Sequence, residues 1–83
     1  MTGTIGVRLL SRPGCHLCDE MKLALENAAR GLDWRLEEVD ISQDPALLEE
    51  FGNDIPVLFV NGERAFRHRA TEERIRERLL RKV

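Results

Sequence analysis

The amino-acid sequence predicts an α/β domain: a four-stranded mixed sheet flanked by three helices, in the order βαβαββα. Three observations carry that prediction. The hydrophobic period changes from two to 3.6 at Cys15 and back again at Trp34, which spells a strand–helix–strand unit. Pro56-Val57-Leu58-Phe59-Val60 is a core strand stopped by Asn61-Gly62, a dipeptide suited to a two-residue hairpin because both central positions need positive φ. A last helical stripe begins after Thr71. No linker, repeat or low-complexity stretch interrupts this order, so residues 1–83 read as a single domain.

Ile5, Val7 and Leu9, with Leu10 beside them, form a short apolar run that stops at Ser11-Arg12-Pro13-Gly14, a mostly buried strand followed by a turn. Leu17, Met21, Ala24, Leu25 and Ala28 then share one helical stripe, with Asp19, Glu20, Lys22, Glu26 and Asn27 opposite. Gly31 is expected to close this helix in the C′ position. Trp34 and Leu36 alternate with Arg35 and Glu37, after which Val39 and Ile41 take the other parity. That break predicts a bulge or a loosely buried edge strand. Asp44 before Pro45 is an N-cap with proline at N1, and Ala46, Leu47, Leu48 and Phe51 run to a glycine stop at Gly52. After the hairpin, Ala65 and Phe66 return antiparallel. Thr71 caps the final helix, with Glu72 and Glu73 at its positive end and Ile75, Leu79, Leu80 and Val83 as the buried stripe.

Composition narrows the function classes. At 42% hydrophobic and 34% charged, the chain is neither a disordered tail nor a collagen-like repeat. No apolar run approaches the roughly 18 residues of a membrane span, so no membrane partner is expected. Two cysteines are too few for a small secreted disulfide scaffold, which needs about four or more. The start, MTGTIGVRLLSRPG, has no basic n-region, and Arg8 interrupts its apolar stretch, so no signal peptide is expected and the chain reads as cytoplasmic. In that reducing compartment two nearby cysteines signal redox or metal chemistry rather than a staple.

The net charge of -2 hides an asymmetry: residues 1–62 carry five basic and eleven acidic side chains, residues 63–83 eight and four. Helical ion pairs at Glu72/Arg76 and Glu77/Arg81 explain much of the basic tail, and Phe66 is its one aromatic residue. Nucleic acid is therefore not an expected partner.

Cys15-His16-Leu17-Cys18 is the one constellation with chemistry in it, placed where a glycine-containing turn leaves a strand and enters a helix. Helical residues three apart hold their Cβ atoms about 5–6 Å apart, whereas a disulfide wants roughly 3.5–4.5 Å, so closure needs a tightened first turn. An exposed bond of that kind is reducible and belongs to the catalytic class. Cys15, at or before the first helical residue, meets unsatisfied N–H groups and the helix dipole, which favour a thiolate; it is the expected nucleophile. Cys18 lies one turn further in, less exposed, and is expected to resolve. Two other readings stay open: a binding module with idle thiols, and a metal site. The metal site finds only Cys15, Cys18, His16 and a distant His68, without a second CxxC or paired histidines, so no metal is expected. His16 is either a solvated turn residue or, as an imidazolium, a tuner of the Cys15 thiolate; Arg12 is either an ordinary loop arginine or a useful positive charge near the sulfur. Met21 and Trp34 read as core.

Ser11-Arg12-Pro13-Gly14-Cys15-His16-Leu17-Cys18 before a helix, followed after the second helix by Asp54-Ile55-Pro56-Val57-Leu58-Phe59-Val60-Asn61-Gly62, resembles the glutaredoxin family of the thioredoxin fold, most of all its small bacterial glutaredoxin-like branch. The match covers nearly the whole chain. The resemblance implies a thioredoxin-like, glutaredoxin-type fold and a dithiol oxidoreductase that reduces protein or small-molecule disulfides through Cys15 and Cys18. It puts Arg12 in the basic position three before the nucleophile and makes Ile55-Pro56 the dipeptide whose cis proline faces the cysteines. Arg12, His16, Ile55 and Pro56 are thus the expected substrate-binding residues. It implies no resident cofactor, with glutathione as candidate co-substrate, partners that are disulfide proteins or small thiols, and a monomer.

The sequence departs from the family where glutathione binders carry a Gly-Gly pair and an acidic residue: here the stretch reads Phe66-Arg67-His68-Arg69. Arg12, His16, Arg67, His68 and Arg69 are therefore expected to ring the cysteines with positive charge, which suits an acidic partner and a protein dithiol as reductant better than glutathione.

Overall fold

The structure, a computed structural model, describes residues 3–81. Strands β1 (Ile5–Ser11), β2 (Trp34–Asp40), β3 (Val57–Val60) and β4 (Glu63–Arg67) and helices α1 (His16–Ala28), α2 (Pro45–Phe51) and α3 (Glu72–Leu80) follow in the order βαβαββα, with an added 3₁₀ turn at Ile41–Gln43. The sheet order is β2-β1-β3-β4, with β1 parallel to β2 and the other two pairs antiparallel.

Alternation along the strands sends side chains to two faces, each with its own core. Val7 and Leu9 of β1 and Leu58 and Val60 of β3 meet Met21 and Leu25 of α1 and Ile75 and Leu79 of α3. Leu10 and Val57 point the other way, onto Ile41 and Ile55, where Leu47 and Phe51 also pack. The Phe51 ring meets Phe59 edge-on, centroids 6.2 Å apart. This second core explains the parity change in β2: Trp34 and Leu36 pack on the first core and Val39 on the second. The strand is an edge strand without a bulge, in unbroken register from Ile5↔Trp34 to Ser11↔Asp40. The sheet's register shift lies instead between Leu58 and Phe59, against β4.

Ile41 is not the end of the strand. The Asp40 carboxylate accepts from the Ser42 N–H at 2.9 Å and from its hydroxyl at 2.6 Å, which starts the 3₁₀ turn and tucks Ile41 fully under the sheet. Asp44 caps α2 by accepting from the N–H groups of Ala46 and Leu47, and Gly52 ends it with right-handed backbone, φ -54. Its stop rests on space, because a β-carbon there overlaps the Leu48 carbonyl. Asn61 and Gly62 adopt φ 50 and 86, the expected hairpin, and Asn61 exchanges two hydrogen bonds with the Gly6 backbone. Gly31 has φ 83 but follows the Ala29 C-cap by two residues, one place beyond C′.

Thr71 caps α3 through its hydroxyl, which accepts from the Arg74 N–H at 3.2 Å. Ile75 and Leu79 are buried, but Leu80 is 52% exposed, since five residues from Ile75 is about 140° round a helix. Arg78 is buried in its place, its Nη2 2.7 Å from Glu63 Oε1. Val83 lies outside the described residues. The two expected ion pairs of α3 do not form among the described residues. Glu72 instead accepts from Asn27, and Arg76 Nη1 donates to the carbonyls of Ala28 (2.8 Å) and Arg30 (3.0 Å), satisfying the open end of α1. No described helix is long and apolar enough to cross a membrane.

Candidate active site

Gly14, at φ 78, turns the chain out of β1, and Cys15 caps α1 with extended backbone, φ -93 and ψ 106. Its Sγ accepts the Cys18 N–H at 3.1 Å, so the sulfur occupies the place a serine or aspartate oxygen takes in an ordinary N-cap. Cys15 and Cys18 are joined as a disulfide with Cα atoms 5.2 Å apart, inside the usual range. The two differ in access: Cys15 is half-buried, whereas Cys18 is only 3% exposed within the second core. Once reduced, Cys15 is the sulfur that solvent and a partner reach.

Ile55 packs with Cys18 in that second core, with Cys15 against the same cluster, and the Ile55–Pro56 peptide is cis. Ile55 and Pro56 thus stand beside the cysteines despite a gap of about forty residues in the chain. Among the described residues, the Ile55 N–H and carbonyl take no hydrogen-bond partner. Ile55 is 8% exposed and Pro56 is fully buried, so this segment offers no open side chain; what it leaves unpaired is one backbone donor and one backbone acceptor, the pair that an added extended strand uses.

The loop carrying Ile55 is clamped by the corner after β4. The His68 N–H donates to the Pro56 carbonyl at 2.8 Å, the His68 ring Nε2 lies 3.0 Å from the Asn53 carbonyl, and Arg67 Nη1 lies 3.3 Å from Asp54 Oδ1. His68 does this at φ 65, left-handed backbone that favours glycine. The sequence offered His68 as a distant metal ligand and as one of the positive charges around the cysteines, not as a clamp on the Asn53–Pro56 loop. The signal for its backbone was the glycine pair that the glutaredoxin pattern carries in this stretch, a mark of positive φ.

The ring of positive charge expected around the cysteines is broken up. His16, the first residue of α1, is exposed. Arg12 lines a cavity of about 390 Å³ with Asp19, Glu38 and Asp40, so its charge sits among carboxylates. Arg67 is paired with Asp54. Arg69 lines a groove of about 540 Å³ beside Leu17, Met21 and Ala24, but Glu20 and Glu72 line it too. No group of three or more His, Cys, Asp or Glu side chains among the described residues is arranged to hold a metal ion.

Comparison with known proteins agrees with this geometry. Residues 6–80 match the glutaredoxin-like domain family, DUF836. A Dictyostelium discoideum protein named as glutaredoxin-like is 31% identical over 78 residues, covering 87% of this chain and 72% of the relative. A solved structural-genomics target from X. campestris superposes with a TM-score of 0.77 at 33% identity, covering 88% of this chain and 93% of that one. A mutant thioredoxin from Halobacterium salinarum shares the fold at a TM-score of 0.61 and 20% identity, over 93% of this chain and 73% of its own. With a thioredoxin fold, a CxxC-spaced disulfide at the head of α1 and this match over nearly its whole length, the chain belongs to the glutaredoxin-like domain family.

Proposed function

We propose that the protein is a dithiol thiol–disulfide oxidoreductase, with Cys15 as nucleophile and Cys18 as resolving thiol. One observation carries the reading: the accessible sulfur caps a helix and accepts a backbone N–H, while its partner three residues on is buried. The helix N-terminus and that N–H stabilise negative charge on Cys15 Sγ in the reduced protein.

The steps balance. The Cys15 thiolate attacks one sulfur of the substrate disulfide, forming a mixed disulfide and releasing the other sulfur as a thiolate that takes a proton. Cys18, losing its proton, then attacks Cys15 Sγ, which forms the Cys15–Cys18 bond and releases the second substrate thiol. Two electrons pass from the protein dithiol to the substrate, and an external dithiol restores them by the reverse sequence. The free N–H and carbonyl of Ile55 hold an extended substrate segment beside the sulfur, with Pro56 behind them. Arg12 and His16 flank the entry.

The reducing cytoplasm is the proposed compartment, and a protein dithiol the proposed reductant. Supporting the latter, the stretch Phe66-Arg67-His68-Arg69 puts arginine where glutathione binders carry an acidic residue, and Arg69 stands in the groove beside Leu17 together with Glu20 and Glu72. The test is turnover of a peptide disulfide fed either by glutathione or by a thioredoxin-type dithiol. Turnover that needs Cys15 and runs faster with the protein dithiol at matched driving force is expected. Equal turnover by Cys15→Ser contradicts the reading, and faster turnover with glutathione contradicts the choice of reductant.

A further inference from the structure

The sheet order turns the charge asymmetry of the sequence into a spatial one. β2, with Glu37, Glu38 and Asp40, is one edge; β4, backed by α3, is the other. On the β4 side Arg64, Phe66, Arg74, Glu77, Arg78 and Arg81 line a cavity of about 230 Å³. Arg74 and Arg78 stand one turn apart on α3, where like charges repel, and Arg81 is the C-cap of the same helix. Pairing within α3 would have made this an ordinary solvated face, but that pairing is missing. Among the described residues, Arg78 is paired with Glu63, while Arg64, Arg74 and Arg81 take part in no ion pair. Four arginines thus line one concavity with Glu77 as its one lining carboxylate, and with Arg78 neutralised by Glu63 three of them stand without an ion-pair partner among the described residues.

We propose that the β4–α3 flank is a docking surface for an extended acidic segment of a partner protein. β4 is an edge strand whose outer backbone groups face no other strand, and its five residues offer about 17 Å of length to an added strand. Side-chain carboxylates of that segment meet Arg64, Arg74 and Arg81. β4 ends at the corner that His68 ties to Pro56, so the flank leads toward the cysteines. The proposal rests on the redox reading only in taking the docked partner as the exchange substrate.

Two other occupants fit less well. A single-stranded nucleic acid stacks its bases on open aromatic faces, but the Phe66 ring is already covered by Arg74, 5.9 Å from its centroid. A second copy offers its acidic β2 edge, yet Glu37 there is paired with Arg8 and Glu38 with Lys22. A β2-to-β4 contact is also heterologous and does not close on itself.

The probe is a labelled, cysteine-free octapeptide of Asp and Glu, titrated into the oxidised full chain and followed by anisotropy. Binding should weaken about tenfold in the double variant R64E/R81E, whose two side chains are exposed, and persist in R64K/R81K. Cys15→Ser should bind like the natural chain, and R64E/R81E should keep its melting temperature and its exchange with a small neutral disulfide. Those controls separate failure of docking from failure of the thiol chemistry. Unchanged affinity in R64E/R81E overturns the proposal, as does tighter binding of duplex DNA than of the peptide. So does concentration-dependent self-association that R64E/R81E abolishes.

Discussion

The backbone N–H of Cys18 points at Cys15 Sγ, 3.1 Å away, so the first turn of α1 both spaces the two cysteines and stabilises the sulfur at its head. A sequence shows the spacing directly; the aim of that N–H follows from Cys15 being the cap rather than the first helical residue.

This relationship sets how the reduced protein titrates. Thiolate absorbance should rise for Cys15 at lower pH than for free cysteine run in parallel. The rate gain is modest, because a thiolate loses nucleophilicity as its pKa falls, which offsets part of the larger thiolate fraction. A titration that coincides with free cysteine contradicts the activating role of the cap.

Asp40 gives a pH test away from the cysteines. The Ser42 hydroxyl, and then the Ser42 N–H, hold its carboxyl below the ordinary 3.8. A lowered folded-state value means stability that is full above 3.8 and is lost as the pH falls through the folded value beneath it. Asp40→Asn should therefore melt at lower temperature than the natural chain near neutral pH, and the gap should close on acidification below 3.8. A gap that stays constant through that range contradicts the capping role.

Local chemistry was the legible part of the fold. Asn61-Gly62, Asp44-Pro45, Thr71 and the change of period at Cys15 each act over a few residues, and each does in the structure what its residue types favour. What escaped depends on distant neighbours. The opposite parity of Val39 signals a second core, visible only once α2 and the Ile41–Gln43 turn are laid on the far face of the sheet. Arg78 is buried because Glu63 stands across from it, and Arg76 leaves Glu72 because the end of α1 offers two carbonyls. At the site, the sequence showed Cys15, Cys18 and the Ile55-Pro56 dipeptide, but not that Arg12 sits among three carboxylates contributed by α1 and β2.

His68 balances two opposing terms. Left-handed backbone costs a residue with a β-carbon about 1–2 kcal/mol, and the ring contact with the Asn53 carbonyl returns roughly 0.5–1.5 kcal/mol. His68→Gly should thus shift the melting temperature by no more than about 5 °C. The Asp54 amide, in the clamped loop, should nonetheless exchange its hydrogen faster. A drop beyond about 10 °C, or unchanged exchange at Asp54, contradicts this balance.

The most direct measurement is mixed-disulfide trapping on single-cysteine variants treated with a peptide disulfide, read by intact and fragment mass. Cys18→Ser should accumulate one stable adduct on Cys15, because nothing resolves it, while Cys15→Ser should form almost none, its remaining thiol being buried in the second core. Adducts that build up on Cys18 and not on Cys15 contradict the assignment and reverse the two roles.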